Sequence, residues 1–282
     1  VSDNKIWLRG GRCWLRAMLS QWSGEERLHA NVLTPVLISG KQGLSKSTFC
    51  RLLMPDSLRH YFIDNLNLTA GSSPEKKLVK NGLINLDEFD KIKESQQATL
   101  KNLLQMVNVP VFRGKRLGWV NESRLASFIA TTNVYQVLID STGSRRFLCV
   151  EVLKPISEEP LEHKQIYAQL KEELKSGAPD YLNKEEEKAL QKHNKAYYRQ
   201  SLLEDVFHCC FRHPLETEKG IWLTTAEIFQ VMRKFNSTAL KEVSARQLGL
   251  KLSAMGYMAK HTSFGNRYYV FNLSAEKKEV SL

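Results

Sequence analysis

The chain has 282 residues, 42% hydrophobic and 25% charged, a length and balance that fit a globular protein with one large domain and a smaller one. No apolar run approaches the roughly 18 residues of a bilayer span, the opening residues lack signal-peptide architecture, and the five cysteines form no CxxC pair. A membrane-spanning or disulfide-framed secreted protein is not expected and a cytoplasmic location is, while the formal net charge of +11 favours a polyanionic partner, nucleic acid ahead of a membrane surface; basic solubility alone is the other reading.

Residues 1–30 read as an N-terminal helical segment, because Trp7, Leu8, Trp14, Leu15 and Met18 recur at near-helical spacing. From Val32 to Ser39 a short apolar run ends at a glycine, the signature of a buried strand. The loop that follows, Gly40 to Ser47, matches the phosphate-loop pattern G-x-x-x-x-G-K-[ST] at every position but one, Ser45 standing where glycine is usual. Its backbone N–H groups can wrap phosphates, Lys46 can reach the β and γ oxygens, and the Ser47 hydroxyl can ligate Mg²⁺. The nucleotide-binding set is therefore Gly40, Gly43, Ser45, Lys46, Ser47 and Thr48, with ATP as the expected ligand. If position 45 demands a positive φ, serine there costs about 1–2 kcal/mol.

Further strands are expected at 61–63, 83–86, 125–131 and 147–152, with a helix between Ser95 and Val107. Short buried strands alternating with helices imply an α/β unit, a parallel sheet flanked by helices, over residues 31–155. The strand LINL ends in Asp87-Glu88, the form of a Walker B segment, with Asp87 for the Mg²⁺ shell and Glu88 to accept a proton from an attacking water. The bland alternative is a helix start dressed with carboxylates. Residues 111–117, VFRGKRL, place Arg113, Lys115 and Arg116 around a glycine, suited to a β-hairpin that meets a phosphate backbone or to a solvated turn. The strand from Leu125 ends at Asn133, placed to orient the water that Glu88 activates. A polar loop, DSTGSRRF, then sets Arg145 and Arg146 before the last strand; one of them suits phosphoryl charge, in the same subunit or from a neighbour, and structural ion pairing is equally open to either.

Residues 156–215 read as a helical lid or connector rich in Glu, Lys, Leu and Gln. His208, Cys209, Cys210 and His213 cluster there, but adjacent cysteines on a helix point about 100° apart and suit zinc poorly. A small α+β domain is expected over 216–275: a helix capped by Thr224 or Thr225, a second capped by Ser244 and ending at Gly256, then two β-rich runs around Gly265-Asn266. Residues 276–282 read as a tail.

Taken together, GKQGLSKST, LINLDEFD, FIATTN and DSTGSRRF in this order resemble the virulence-associated protein E family of phages, plasmids and other mobile elements, relatives of the superfamily-three helicases within the AAA+ ATPases. The resemblance covers about residues 1–155. It implies an ATP- and Mg²⁺-dependent motor of the helicase type acting on single-stranded or forked DNA, with a nucleotide-controlled oligomeric binding module as the alternative. It makes Asp87 and Glu88 the Walker B pair, Asn133 sensor 1, Arg145 or Arg146 an arginine finger, and Arg113, Lys115 and Arg116 DNA contacts. It further implies a ring of identical subunits and a primase-like domain upstream of Val1. The C-terminal unit looks like a winged helix, whose nucleic-acid contacts would be Arg246, Lys251 and Arg267.

Overall fold

The structure, a computed structural model, describes residues 1–24, 28–69, 73–139, 141–199, 202–215, 217–238, 240–241, 243–263 and 265–273. The tail at 276–282, Glu216 at the expected boundary and Asp140 at the start of the DSTGSRRF loop lie outside them. Two compact units divide between Tyr198 and Arg199.

In the first unit helix α1 (Asn4–Trp22) is a single helix whose first turn is closed by the Asp3 carboxylate, which accepts from Ile6 N–H at 2.9 Å. Strand β1 (Thr34–Ile38) leads through the phosphate loop into α2 (Lys46–Leu52). Strand β2 (Phe62–Asp64), the short α3 (Glu75–Leu78) and β3 (Leu83–Leu86) follow, then α4 (Glu94–Gln105). Strands β4 (Asn108–Phe112) and β5 (Trp119–Ser123) form a separate antiparallel hairpin. Strands β6 (Ser127–Thr132) and β7 (Phe147–Glu151) complete the main sheet, and α5 (His163–Lys175) and α6 (Lys184–Asn194) end the unit.

The main sheet has five parallel strands in the order β2-β3-β6-β1-β7. Its central strands β1, β3 and β6 are buried along their whole length because both faces are covered. Alternate side chains divide between two layers. Val36, Ile38, Ile84, Phe128 and Cys149 join Leu100, Leu103 and Leu104 of α4 and the inner side of the hairpin. Leu37, Leu83, Ile129, Leu148 and Val150 join Trp14 and Met18 of α1, Cys50 of α2 and Leu190 of α6 on the other face. The order has one functional consequence: β6 lies between β1 and β3, so its end opens between the phosphate loop and the acidic strand.

The second unit holds α7 (Leu202–Cys210), β8 (Phe211–Arg212), β9 (Ile221–Thr224), α8 (Thr225–Phe235), α9 (Ala245–Ala254), β10 (Ala259–Thr262) and β11 (Gly265–Asn272). β11 pairs antiparallel with β10, β9 and β8. Thr224 and Ser244 close the capping boxes of α8 and α9, and Gly256 takes φ 81° after α9, as their sequences require. Three helices on this small sheet make a winged-helix arrangement.

The division falls earlier than residue 216. Tyr197 O accepts from Val137 and Leu138 N–H, and Leu138 bridges to Tyr198, fastening the chain to the first unit. Beyond it Val206, Phe207 and Cys210 of α7 are buried with Ile228 and Met232 of α8. Cys210 is therefore core and its neighbour Cys209 exposed, consistent with their angular separation on one helix. Among the described residues no helix is long and apolar enough to cross a membrane.

Candidate functional site

Parallel strands deliver their carboxyl ends to one rim of the sheet, and here β1, β6 and β3 open together on a cavity of about 350 Å³. Gly43, Ser45, Lys46, Ser47 and Thr48 line it from the loop and α2, Asp87, Glu88 and Asp90 from the end of β3, and Thr131, Thr132 and Asn133 from β6. The sequence motifs, 40 or more residues apart, thus meet at one place. Gly40 stands just behind this wall: a Cβ there would come within 2.9 Å of the Tyr135 ring.

Hydrogen bonds join the groups. Lys46 Nζ donates to Ser39 Oγ and, at 2.9 Å, to Asn133 Oδ1. Ser47 Oγ donates to Asp87 Oδ1 at 3.2 Å, and Thr131 Oγ1 donates to the same oxygen. Thr132 Oγ1 donates to Asp90 Oδ1 at 2.6 Å. Burial pushes the Lys46 ammonium below its ordinary pKa, opposed by the attraction of Asp87. A desolvated cation beside fixed dipoles suits an anionic ligand. The oxygens of Ser47 and Asp87 are hard donors a few ångströms apart, a pair that fits Mg²⁺.

Two residues of the cavity wall are strained. Ser45 takes φ 57° and Glu88 φ 52°, the left-handed region that favours glycine. The Ser45 hydroxyl donates to Glu158 Oε1 at 2.6 Å, and the exposed Glu88 carboxylate accepts from Lys91 Nζ at 2.6 Å.

Arg145 and Arg146 do not line the cavity. They precede β7, whose first residue, Phe147, pairs with Thr34 at the start of β1. The five-residue strand places them on the order of 15 Å from the rim, at the opposite end of the sheet. Arg145 lies 3.3 Å from Glu187, and Arg146 is half-buried, its pKa lowered by burial and then by Arg145.

The hairpin has two unlike faces. Val109 and Val111 of β4 are buried, while Phe112 and Trp119, cross-strand partners with ring centroids 5.6 Å apart, stand exposed beside the tip residues Lys115, Arg116 and Leu117. Arg113 is engaged within the hairpin, its guanidinium forking onto both oxygens of Glu122. In the winged-helix unit Arg246 is exposed, but Lys251 is not presented to a ligand: it is largely covered and pairs with Glu204 at 2.7 Å, because Leu248 and Leu252 draw that side of α9 into the core. Arg267 is half-buried, its Nε without a hydrogen-bond partner among the described residues.

Sequence reasoning missed Ser39, Tyr135, Thr131, Thr132, Lys91 and Glu158. The two threonines were visible as polar residues ending a buried strand. Tyr135 donates to Glu151 Oε1 at 2.6 Å, which raises its pKa, and Glu158 lies 113 positions from Ser45, so nothing local announces either contact.

A family model for the virulence-associated protein E-like domain matches residues 29–199, and a domain of unknown function from B. Theta (DUF3874) matches residues 200–270. No curated protein matches the chain. Among solved structures, the apo NrS-1 C-terminal region is similar at 12% identity and TM-score 0.44, over 95% of this chain and 72% of that one. Its A form gives 14% and 0.45 over the same shares.

Proposed function

The chain belongs to the virulence-associated protein E-like family, and from that premise we propose that it binds ATP in the cavity of β1, β3 and β6, hydrolyses it with Mg²⁺, and uses the energy to act on DNA. The reading is a helicase-type AAA+ motor serving replication or mobilisation of a phage, plasmid or transposon. The observation that carries it is the convergence of Lys46, Ser47, Asp87, Glu88 and Asn133 on one cavity.

In this reading Lys46 exchanges its bonds to Ser39 and Asn133 for phosphate oxygens. Ser47 and Asp87 would hold Mg²⁺, which when bound neutralises phosphate charge. Glu88 takes the proton of the attacking water once it parts from Lys91, and Asn133 orients that water. Arg145 and Arg146, at the far end of the sheet, reach a reacting phosphate only on a neighbouring subunit, which supports a ring of identical chains. Lys115, Arg116 and the Phe112–Trp119 pair suit single-stranded DNA, cations for the backbone and rings for unpaired bases. Arg246 and Arg267 are the candidate DNA contacts within the winged-helix unit itself.

Hydrolysis rates without nucleic acid, with single strands and with duplex test the reading. Stimulation by DNA is expected, with Lys46→Ala lowering turnover about 100-fold or more; hydrolysis indifferent to Lys46→Ala would sink it. The finger has its own test. A subunit lacking Arg145 and Arg146 keeps an intact cavity, and a Glu88→Gln subunit keeps its arginines. Mixing the two inactive proteins should restore turnover, whereas a mixture as inactive as its parts speaks against action across subunits. Tight nucleotide binding without multiple turnover would favour the binding-module alternative, to which the Lys91 hold on Glu88 also points.

A further inference from the structure

Ser45 adopts the backbone of a glycine, φ 57° and ψ 29°, while carrying a side chain, and that side chain is engaged: its hydroxyl donates to Glu158 Oε1 at 2.6 Å. Glu158 lies in the irregular segment after β7, which tracks the phosphate loop. Val152 N–H donates to Ile38 O at 2.7 Å, and Ile156 N–H donates to Leu44 O at 3.2 Å. Leu44 and Ile156 both pack on the same apolar layer.

The contacts continue to the other end of α2. His163 Nε2 lies 2.7 Å from Leu52 O, and the Tyr167 hydroxyl donates to Leu53 O at 2.7 Å. Residues 156–167 thus hold α2 and its loop at both ends, and Ser45–Glu158 is the side-chain contact at the cavity end. A glycine at 45 would relieve the backbone but could not make it.

The contact also has an electrostatic sign. Glu158 is exposed and brings a negative charge to Ser45, a residue of the cavity wall already shared by Asp87, Glu88 and Asp90. A polyphosphate entering there meets a carboxylate anchored to its own binding loop.

We propose that Glu158 sets the affinity of the phosphate site: anchored by Ser45, it opposes polyphosphate binding, so that the occupied site and the Ser45–Glu158 contact exclude one another. By linkage, a ligand that breaks the contact loosens the segment leading to α5, and a substitution that breaks it tightens the ligand. The inference rests on the nucleotide reading above and adds a residue and a direction to it.

The probe is a non-hydrolysable ATP analogue with Mg²⁺, titrated by calorimetry against the full chain. Glu158→Gln keeps an acceptor for Ser45 but removes the charge, and should tighten binding about threefold to tenfold. In a Ser45→Gly background the carboxylate is no longer anchored, and the same change should move affinity less than about twofold. Hydrogen exchange on the unaltered protein supplies a second readout: amides 152–159 should exchange faster with the analogue bound than without it. Equal effects of Glu158→Gln in both backgrounds, weaker binding, or slower exchange would overturn the inference while leaving nucleotide binding intact. An unaltered protein that binds no analogue overturns the nucleotide reading itself, and the inference with it.

Discussion

The cavity at the rim of the parallel sheet and the β4–β5 hairpin are both rich in charged side chains and use them in opposite ways. In the cavity Lys46, Ser47, Asp87, Thr131 and Asn133 are each bonded to another member of the group, around the ends of strands buried on both faces. On the hairpin Lys115, Arg116, Leu117 and Trp119 are exposed, and only the opposite face is packed. Groups fixed in advance stabilise charge at a reacting centre without reorganising. Exposed cations and rings instead follow a flexible polymer whose register varies. The difference predicts large, chemistry-specific effects in the first region and graded, ligand-specific effects in the second.

The largest effect tests the cavity. Glu88→Gln removes the proton acceptor while keeping the shape of the side chain, and turnover should fall about 10²- to 10⁴-fold with nucleotide binding retained. Single-turnover rates beside analogue affinity measure both halves. A variant that hydrolyses normally would break the comparison, because the cavity would then be a binding site with no chemistry of its own.

The next effect is smaller and belongs to the hairpin. Trp119→Ala removes the more exposed ring of the pair and should weaken single-strand binding by about 1–3 kcal/mol, with duplex binding little changed. Fluorescence anisotropy with matched single-stranded and duplex oligonucleotides reads the difference. Equal losses on both would mean that the ring supports the hairpin fold and does not stack on bases.

How far each region could be read in the sequence follows the same contrast. TPVLI, LINL and FLCVE read as strands because burial on both faces leaves short, mostly apolar runs, and the residues at the strand ends were therefore candidate ligands. The strain at Ser45 was foreseeable from its place in the loop. Register was not. Phe112 and Trp119 meet only because the hairpin pairs Val111 with Val120, and Arg113 is held because Glu122 falls within reach on the partner strand. The break at Tyr198 was hidden for another reason: the helical pattern of α6 resumes in α7, and nothing in its periodicity says that Val206 and Phe207 bury themselves in a different core. Contacts between distant positions, such as Ser45 with Glu158, have no local signature at all.

The smallest effect separates cations that look alike in the sequence. Lys115 and Arg116 are exposed at the tip, whereas Arg113 spends its fork on Glu122. A phosphate contact by Arg113 would have to replace that pair, so little counterion release is expected from it. Lys115→Ala and Arg116→Ala should each lower the slope of log affinity against log salt by about 0.7 on single strands. Arg113→Ala should lower it by less than half of that, since the charge removed was already neutralised. Salt titrations of the three variants on one oligonucleotide decide the matter. If Arg113→Ala matches the other two, the fork opens when DNA binds, and the hairpin shares the cavity's habit of keeping a ligand group tied until the ligand arrives.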